Sequence, residues 1–251
     1  MKIANHLIEV IGAFLLLILA FFVFSHIGNF TKNPYMVLPI FLIYIIVMYF
    51  MVKRFHKRIN GLTTNNYIGH GHLRASLYSL LFLAVTWSLP IIILRNYDYT
   101  LQPAKEIINS GISNIIVGIT EELAIRAFLF VSFLVITRRV FLSAVISSLL
   151  FAFLHSQTIT SVNDFVNIFT GSMLLTYLYI YFNSIAAPII FHFMINTLNS
   201  MADLPPAQDN MLVMVQTVCF ASGLLLLMVL FKKSDLKIGF YLNHDLANPG
   251  S

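Results

Sequence analysis

Residues 107–137 read IINSGISNIIVGITEELAIRAFLFVSFLVIT, an apolar run that is interrupted by Glu121, Glu122 and Arg126. The apolar part, about 107–136, is longer than the roughly 20 residues that a membrane-spanning helix needs. On insertion scales, each charge at the centre of such a helix costs about 2.5–3.5 kcal/mol. We therefore expect the three charges to face the interior of a helix bundle or a wet cavity, where they are candidates for function.

The whole chain has the composition of a membrane protein. Of its 251 residues, 59% are hydrophobic and 10% are charged, whereas charged residues make up about 25% of an ordinary soluble domain. The high hydrophobicity also excludes a disordered chain. The single cysteine, Cys219, excludes an internal disulfide framework and a cysteine-based metal cluster.

Apolar runs of membrane-spanning length recur along the chain. They cover residues 8–28, 35–52, 75–94, about 107–136, 140–157, 165–182, 185–200 and 211–231. Because an open strand cannot satisfy its backbone in lipid, these runs predict an all-α, polytopic membrane helix bundle. The bundle has about eight transmembrane helices, or seven if the short, polar run at 185–200 does not cross the membrane.

The basic residues predict the orientation of the bundle. With eight spans and the N-terminus inside, eleven cations fall in inner loops and three in outer loops, which places both termini in the cytoplasm of a multi-pass cell-membrane protein. The inner cations are Lys2, Lys53, Arg54, Lys57, Arg58, Arg74, Arg138, Arg139, Lys232, Lys233 and Lys237, and the outer ones are Lys32, Arg95 and Lys105. The basic loop 53–74 is interpreted as an anchor at the inner face, so no nucleic-acid partner is expected.

Helical spacing separates the two adjacent glutamates. Glu122 and Arg126 are four residues apart, so they share one helix face and can form an ion pair. Ser110, Asn114 and Gly118 continue that row, which suits close helix contact or a lining of water. Glu121 is rotated by about 100° from Glu122, which leaves its carboxylate available for proton transfer. The alternative is an ion pair that only fixes helix packing.

Polar residues also interrupt two later runs. FAFLHS places His155 four residues after Phe151, and FHFMIN places Asn196 four residues after His192. A histidine in a membrane helix is often a hydrogen-bonded packing residue, but histidine can also exchange a proton with glutamate. Histidine and asparagine can donate to a developing oxyanion. The concentration of these residues with Glu121, Glu122 and Arg126 indicates one site suited to water activation.

The three motifs resemble those of the CAAX protease and bacteriocin-processing family, also called CPBP or Abi proteins. The family pattern is E-E-x-x-x-R, F-x-x-x-H and H-x-x-x-N, matched here by Glu121-Glu122 with Arg126, by Phe151 with His155, and by His192 with Asn196. The resemblance implies an intramembrane glutamic endopeptidase that requires no metal or other cofactor. It also implies a catalytic core at 105–200, between N-terminal helices at 1–104 and a last helix with a cytoplasmic tail at 201–251.

By the same resemblance, Glu121 with His155 would activate water, and His192 with Asn196 would hold the oxyanion. Glu122 with Arg126 would orient the site or contact the substrate. The implied substrate is a peptide or lipidated peptide, in bacterial peptide maturation or in immunity. A non-catalytic immunity protein, a zinc protease and a transporter or lipid-binding bundle remain alternatives, and the oligomeric state is open. We expect the site in the outer half of the membrane, because His155 ends its run on the outer side.

Overall fold

The computed structural model describes residues 2–30, 34–94, 100–203 and 206–233, and these form a bundle of helices. The predicted all-α membrane bundle is confirmed, with one pair of two-residue strands as its only sheet within these ranges. The elements are α1 (Lys2–Phe30), α2 (Pro34–Phe55), π1 (His56–Asn60), α3 (Asn65–Ile68), α4 (His72–Leu94), β1 (Thr100–Leu101), α5 (Ala104–Glu122), π2 (Leu123–Phe130), α6 (Val131–Thr137), α7 (Val140–Leu154), α8 (Val162–Phe182), α9 (Ala186–Asn199), β2 (Ala202–Asp203) and α10 (Pro206–Lys233).

The surface of the bundle is apolar, as lipid contact requires. Large hydrophobic side chains such as Leu15, Ile46 and Leu225 are more than half exposed. In the described ranges, three segments are long and apolar enough to cross a membrane, namely Pro39–Ile59, Val162–Phe182 and Asn210–Leu230. Each predicted span coincides with a helix or a continuous run of helices, but the number of membrane crossings stays a prediction.

The predicted span boundaries differ from the structure at one important place. The run 140–157 continues past the end of α7, which stops at Leu154. The His155 amide donates to the Ala152 carbonyl at 3.1 Å and opens a turn. Hydropathy does not show where α7 ends, because the sequence is apolar up to its last residue, Leu154. His155 is therefore a turn residue directly after the end of α7. The predicted run 185–200 forms a helix of 14 residues, α9.

Residues 107–137 lie within one uninterrupted run of helix. The α5 helix passes directly into the π-helical segment π2 and then into α6, which ends where Arg138 adopts φ 54°. Segments of π-helix are rare and often occur at functional sites. The buried His56 of π1 donates from Nε2 to the Ala127 carbonyl at 2.5 Å and thereby attaches α2 to π2.

The loops lie at two opposite ends of the bundle. At one end, β1 pairs antiparallel with β2, which joins the segment before α5 to the segment after α9. At the other end, Gly69 forms an isolated bridge with Ser184, whose hydroxyl lies 2.7 Å from His72 Nδ1. Gly69 has φ +81°, and a Cβ there would fall 1.9 Å from the Asn183 oxygen, so only glycine fits. These pairings agree with helices that alternate in direction.

The small and polar row of α5 packs against α9, which confirms the close-contact interpretation of that row. A Cβ on Gly118 would lie 3.5 Å from the Ile189 carbonyl oxygen, so the two backbones approach closely. One turn away, Asn114 Nδ2 donates to the hydroxyls of Thr197 and Ser200, both at 3.4 Å. This contact sets the distance between the glutamates at the end of α5 and the histidine on α9.

The orientation prediction is only partly covered by the described residues. Lys32 and Arg95, and residues 234–251 of the predicted cytoplasmic tail with Lys237 among them, lie outside the described residues. Arg138 and Arg139 are exposed, as are Lys57 and Arg58 of π1, against which α6 packs. These four cations therefore share one end of the bundle.

Candidate active site

Glu122 and Arg126 form the predicted ion pair. Arg126 Nη1 donates to Glu122 Oε1 at 3.0 Å, and both side chains are 0% exposed. The other terminal nitrogen of Arg126 donates to the carbonyl and hydroxyl oxygens of Ser172 on α8, at 3.0 and 2.8 Å. The guanidinium also lies 4.9 Å from the ring centre of Phe151. A buried charge with these partners fixes the mutual positions of π2, α7 and α8.

The ion pair extends to the histidine on α9. His192 Nδ1 lies 2.8 Å from Glu122 Oε1, the same oxygen that accepts from Arg126. Because a carboxylate only accepts, the Nδ1 atom of His192 carries the proton in this bond. The opposite nitrogen, Nε2, then lies 3.7 Å from Glu121 Oε2. Glu122 therefore orients the ring of His192 toward Glu121.

Glu121 faces two imidazoles. Its Oε1 atom lies 3.8 Å from His155 Nε2, and its Oε2 atom lies 3.7 Å from His192 Nε2. These distances exceed those of a direct hydrogen bond and are compatible with an intervening water. The Glu121 side chain is 19% exposed, whereas the Glu122 side chain is 0% exposed. The predicted division between a paired Glu122 and a Glu121 that does not bond Arg126 is confirmed.

His155 is oriented by the last turn of α7. Its Nδ1 atom donates to the Phe151 carbonyl at 2.9 Å, which directs Nε2 toward Glu121. Phe151 was recognised in the sequence only as part of a motif, yet its ring contacts three site residues. The ring centre lies 4.3 Å from that of His155 and 6.1 Å from that of His192, and it also faces Arg126.

Two cavities meet at Glu121, Phe151 and His155. The first, which we call the α1–α2 cavity, measures about 230 Å³ and is mostly apolar. Its remaining walls include Phe14, Leu17, Tyr44, Met48 and Ile125. The second, the α8–α10 cavity, measures about 250 Å³ and is more polar. Its walls include His192 and Asn196, and also Asn167, Asn199 and Gln216.

The structure therefore brings all six predicted site residues together. Five are linked by contacts below 4 Å, while Asn196 joins them by lining the same cavity one helical turn from His192. Sequence reasoning missed Ser172, Asn167 and Gln216. Gln216 could have been found, because it is a polar residue in the middle of the last apolar run. No group of three or more His, Cys, Asp or Glu residues in the described ranges has an arrangement that could hold a metal ion.

The fold and the site define a membrane helix bundle with a buried centre of carboxylates and imidazoles. Residues 103–198 match the family model described as type II CAAX prenyl endopeptidase Rce1-like. The match bears out the family resemblance of the three motifs, and at the level of the family it supports similarity of this region to the intramembrane CAAX-type endopeptidases. The matched region runs from α5 to α9, and α1 to α4 and α10 lie outside it. No curated protein and no solved structure matches the chain.

Proposed function

We propose that the protein is an intramembrane endopeptidase in which Glu121 activates the water that cleaves a peptide or lipidated peptide. The observation that carries this proposal is the position of the Glu121 carboxylate, within 3.8 Å of two imidazole nitrogens on the wall of both cavities. Glu122 is unsuited to this role because its side chain is 0% exposed, it lines neither cavity, and one of its oxygens already accepts from Arg126 and His192.

In the proposed reaction, a water bound between Glu121 and His155 attacks the carbonyl carbon of the scissile peptide bond. Glu121 accepts one proton from the water as the new C–O bond forms. His155 Nε2 accepts a hydrogen bond from the other water hydrogen, because its Nδ1–H is held by Phe151. When the C–N bond breaks, the proton on Glu121 passes to the amine leaving group, which restores the carboxylate and leaves two peptide products.

The oxyanion formed by this attack needs donors. Asn196 Nδ2 supplies one, and His192 Nε2 supplies a second when the ring is an imidazolium, since Nδ1 is already engaged by Glu122. The Glu122 carboxylate provides the counter-charge of this imidazolium, because Glu121 is protonated while the oxyanion exists. The Glu122–Arg126 pair acts in this scheme by positioning His192.

The apolar α1–α2 cavity supports a substrate with a hydrophobic side chain or a lipid chain next to the scissile bond. Phe14, Leu17 and Met48 present only apolar surface to such a group, and its burial is favoured by about 25 cal/mol per Å².

The cations of π1 and of the α6–α7 turn, which lie at one end of the bundle, support cytoplasmic termini by the positive-inside rule. The biological setting that the motif resemblance favours is peptide maturation or immunity in a bacterium.

The central experiment compares the unaltered protein with Glu121→Gln on a fluorogenic peptide. The probe carries a farnesylated Cys-aliphatic-aliphatic-Met sequence, and an unprenylated copy tests the lipid requirement. We expect Glu121→Gln to lower kcat by about 10²–10⁴ and to leave the melting temperature in detergent unchanged. Full activity in the folded variant would rule out Glu121 as the base. If cells expressing Glu121→Gln keep immunity to a secreted peptide, a binding role replaces proteolysis.

A further inference from the structure

A second polar group lines the α8–α10 cavity in addition to the site residues His192 and Asn196. It consists of the amides of Asn167 on α8, Asn199 on α9 and Gln216 on α10, and we call it the amide cluster. Gln216 is only 3% exposed, although it belongs to a helix of high hydropathy. Its Nε2 atom donates to Asn199 Oδ1 at 2.6 Å, and its Oε1 atom accepts from Asn167 Nδ2 at 3.5 Å.

Helix packing alone accounts for only part of this cluster. Amides often join membrane helices by hydrogen bonds, and the bonds of Gln216 do connect α8, α9 and α10. Each amide, however, has two N–H donors and two acceptor positions. The bonds that Gln216 makes to the other two amides use only one of its two N–H donors and one acceptor position. Unused hydrogen-bond donor and acceptor positions therefore remain in the wall of the α8–α10 cavity, which Glu121 also lines.

The chemistry of this cavity wall matches a peptide main chain. A peptide must be extended for its bonds to be accessible, and in a membrane an extended segment has N–H and C=O groups that water cannot satisfy. Amide side chains both donate and accept, so they can pair with both kinds of group. No Lys or Arg is among the described residues that line the cavity, and His192 is already engaged by Glu122, so the neutral amides supply most of the remaining polar groups of the wall.

We propose that the amide cluster is a substrate subsite that binds the extended main chain next to the scissile bond. This inference rests on the proposed endopeptidase function and adds to it a residue on α10, outside the region 103–198 that matches the family model. In this arrangement the apolar portion of the substrate occupies the α1–α2 cavity, and the main chain crosses Glu121 to reach Gln216. Gln216 is then a positioning residue that holds the peptide, and it does not touch the reacting atoms.

The test measures binding, so that it does not depend on cleavage. The farnesylated probe and copies with a single N-methyl group on one main-chain nitrogen near the scissile bond are bound to Glu121→Gln protein in detergent. Loss of one hydrogen bond should weaken binding by about tenfold for at least one of the methylated probes. Adding Gln216→Met should reduce this penalty to less than about twofold, since the partner of the methylated group is already absent.

Asn114→Leu is the matched control, because it removes an amide that bonds Thr197 on α9 but does not line the α8–α10 cavity. It should retain the full N-methyl penalty. If Gln216→Met does not fold, Asn199→Leu at the exposed rim of the cluster serves in its place. An unchanged penalty in the Gln216 or Asn199 variant, or no binding of the unmethylated probe, would overturn the inference. Cleavage by the unaltered protein tests the proposed function separately.

Discussion

His192 is bonded through Nδ1 to Glu122 Oε1 at 2.8 Å, across the contact between α5 and α9. The same oxygen also accepts from Arg126. One carboxylate oxygen therefore neutralises a guanidinium and orients an imidazole. This arrangement explains why two adjacent glutamates have different surroundings. In the proposed reaction it makes the Glu122–Arg126 pair a determinant of both stability and activity.

The first prediction separates these two contributions. Glu122→Gln leaves Arg126 as a buried cation without its partner, and we expect it to cost about 3–5 kcal/mol of folding free energy. The double variant Glu122→Gln with Arg126→Gln removes both charges and should be more stable than the single one. Thermal unfolding in detergent measures the stability, and peptide cleavage measures the activity.

The double variant decides between packing and function. We expect a folded protein without measurable cleavage, because His192 loses the carboxylate that orients its ring. A double variant that cleaves at the normal rate would mean that the pair serves only to hold helices together.

The second prediction concerns His155, which lies in a turn and is 29% exposed. Replacing it by alanine should cost less than about 1 kcal/mol of stability, because little apolar surface is buried there. The value of kcat should fall by about 10², since the water next to Glu121 loses its second hydrogen-bond partner. His70→Ala, at an exposed position near the opposite end, is the control and should change neither quantity. Unaltered kcat in His155→Ala would exclude His155 from water activation.

The separation of the two glutamates was predictable, because it follows from helical rotation within one segment. The bond between Glu122 and His192 was not, since it joins residues 70 positions apart and depends on how closely α5 and α9 pack. Likewise, no periodicity in LAIRAFLF indicates a π-helix, because Arg126 is the one polar residue among its eight and a single polar position defines no period. The site residues could be named from their motifs, whereas their contacts required the tertiary structure.

The third prediction tests the close approach of α5 and α9 at Gly118. A Cβ there would meet the Ile189 oxygen at 3.5 Å, an ordinary contact distance. Gly118→Ala should therefore be tolerated, with a gain in helix propensity of up to about 1 kcal/mol. Gly118→Ile should cost about 1–3 kcal/mol through overpacking and should reduce cleavage by moving His192 away from Glu122. Equal activity in the alanine and isoleucine variants would show that this contact does not position the histidine.

The fourth prediction concerns metal dependence. In the proposed reaction Glu121 deprotonates the water, so no Lewis acid is required. Exhaustive chelation with a membrane-permeable zinc chelator should therefore leave kcat/KM unchanged, and elemental analysis of the purified active protein should find less than one equivalent of zinc. Loss of activity on chelation that is restored by added zinc would favour the zinc-protease alternative.

The fifth prediction concerns the side of the membrane on which the site opens. Thr158, in the turn after His155, and Arg139, at the opposite end of α7, are both exposed. In a Cys219→Ala background, a membrane-impermeant maleimide applied to intact cells should label Thr158→Cys and spare Arg139→Cys, because basic residues favour the cytoplasmic side. Permeabilised cells, in which both cysteines should react, provide the control. The opposite labelling pattern would place the His155 turn in the cytoplasm and would reverse the predicted topology.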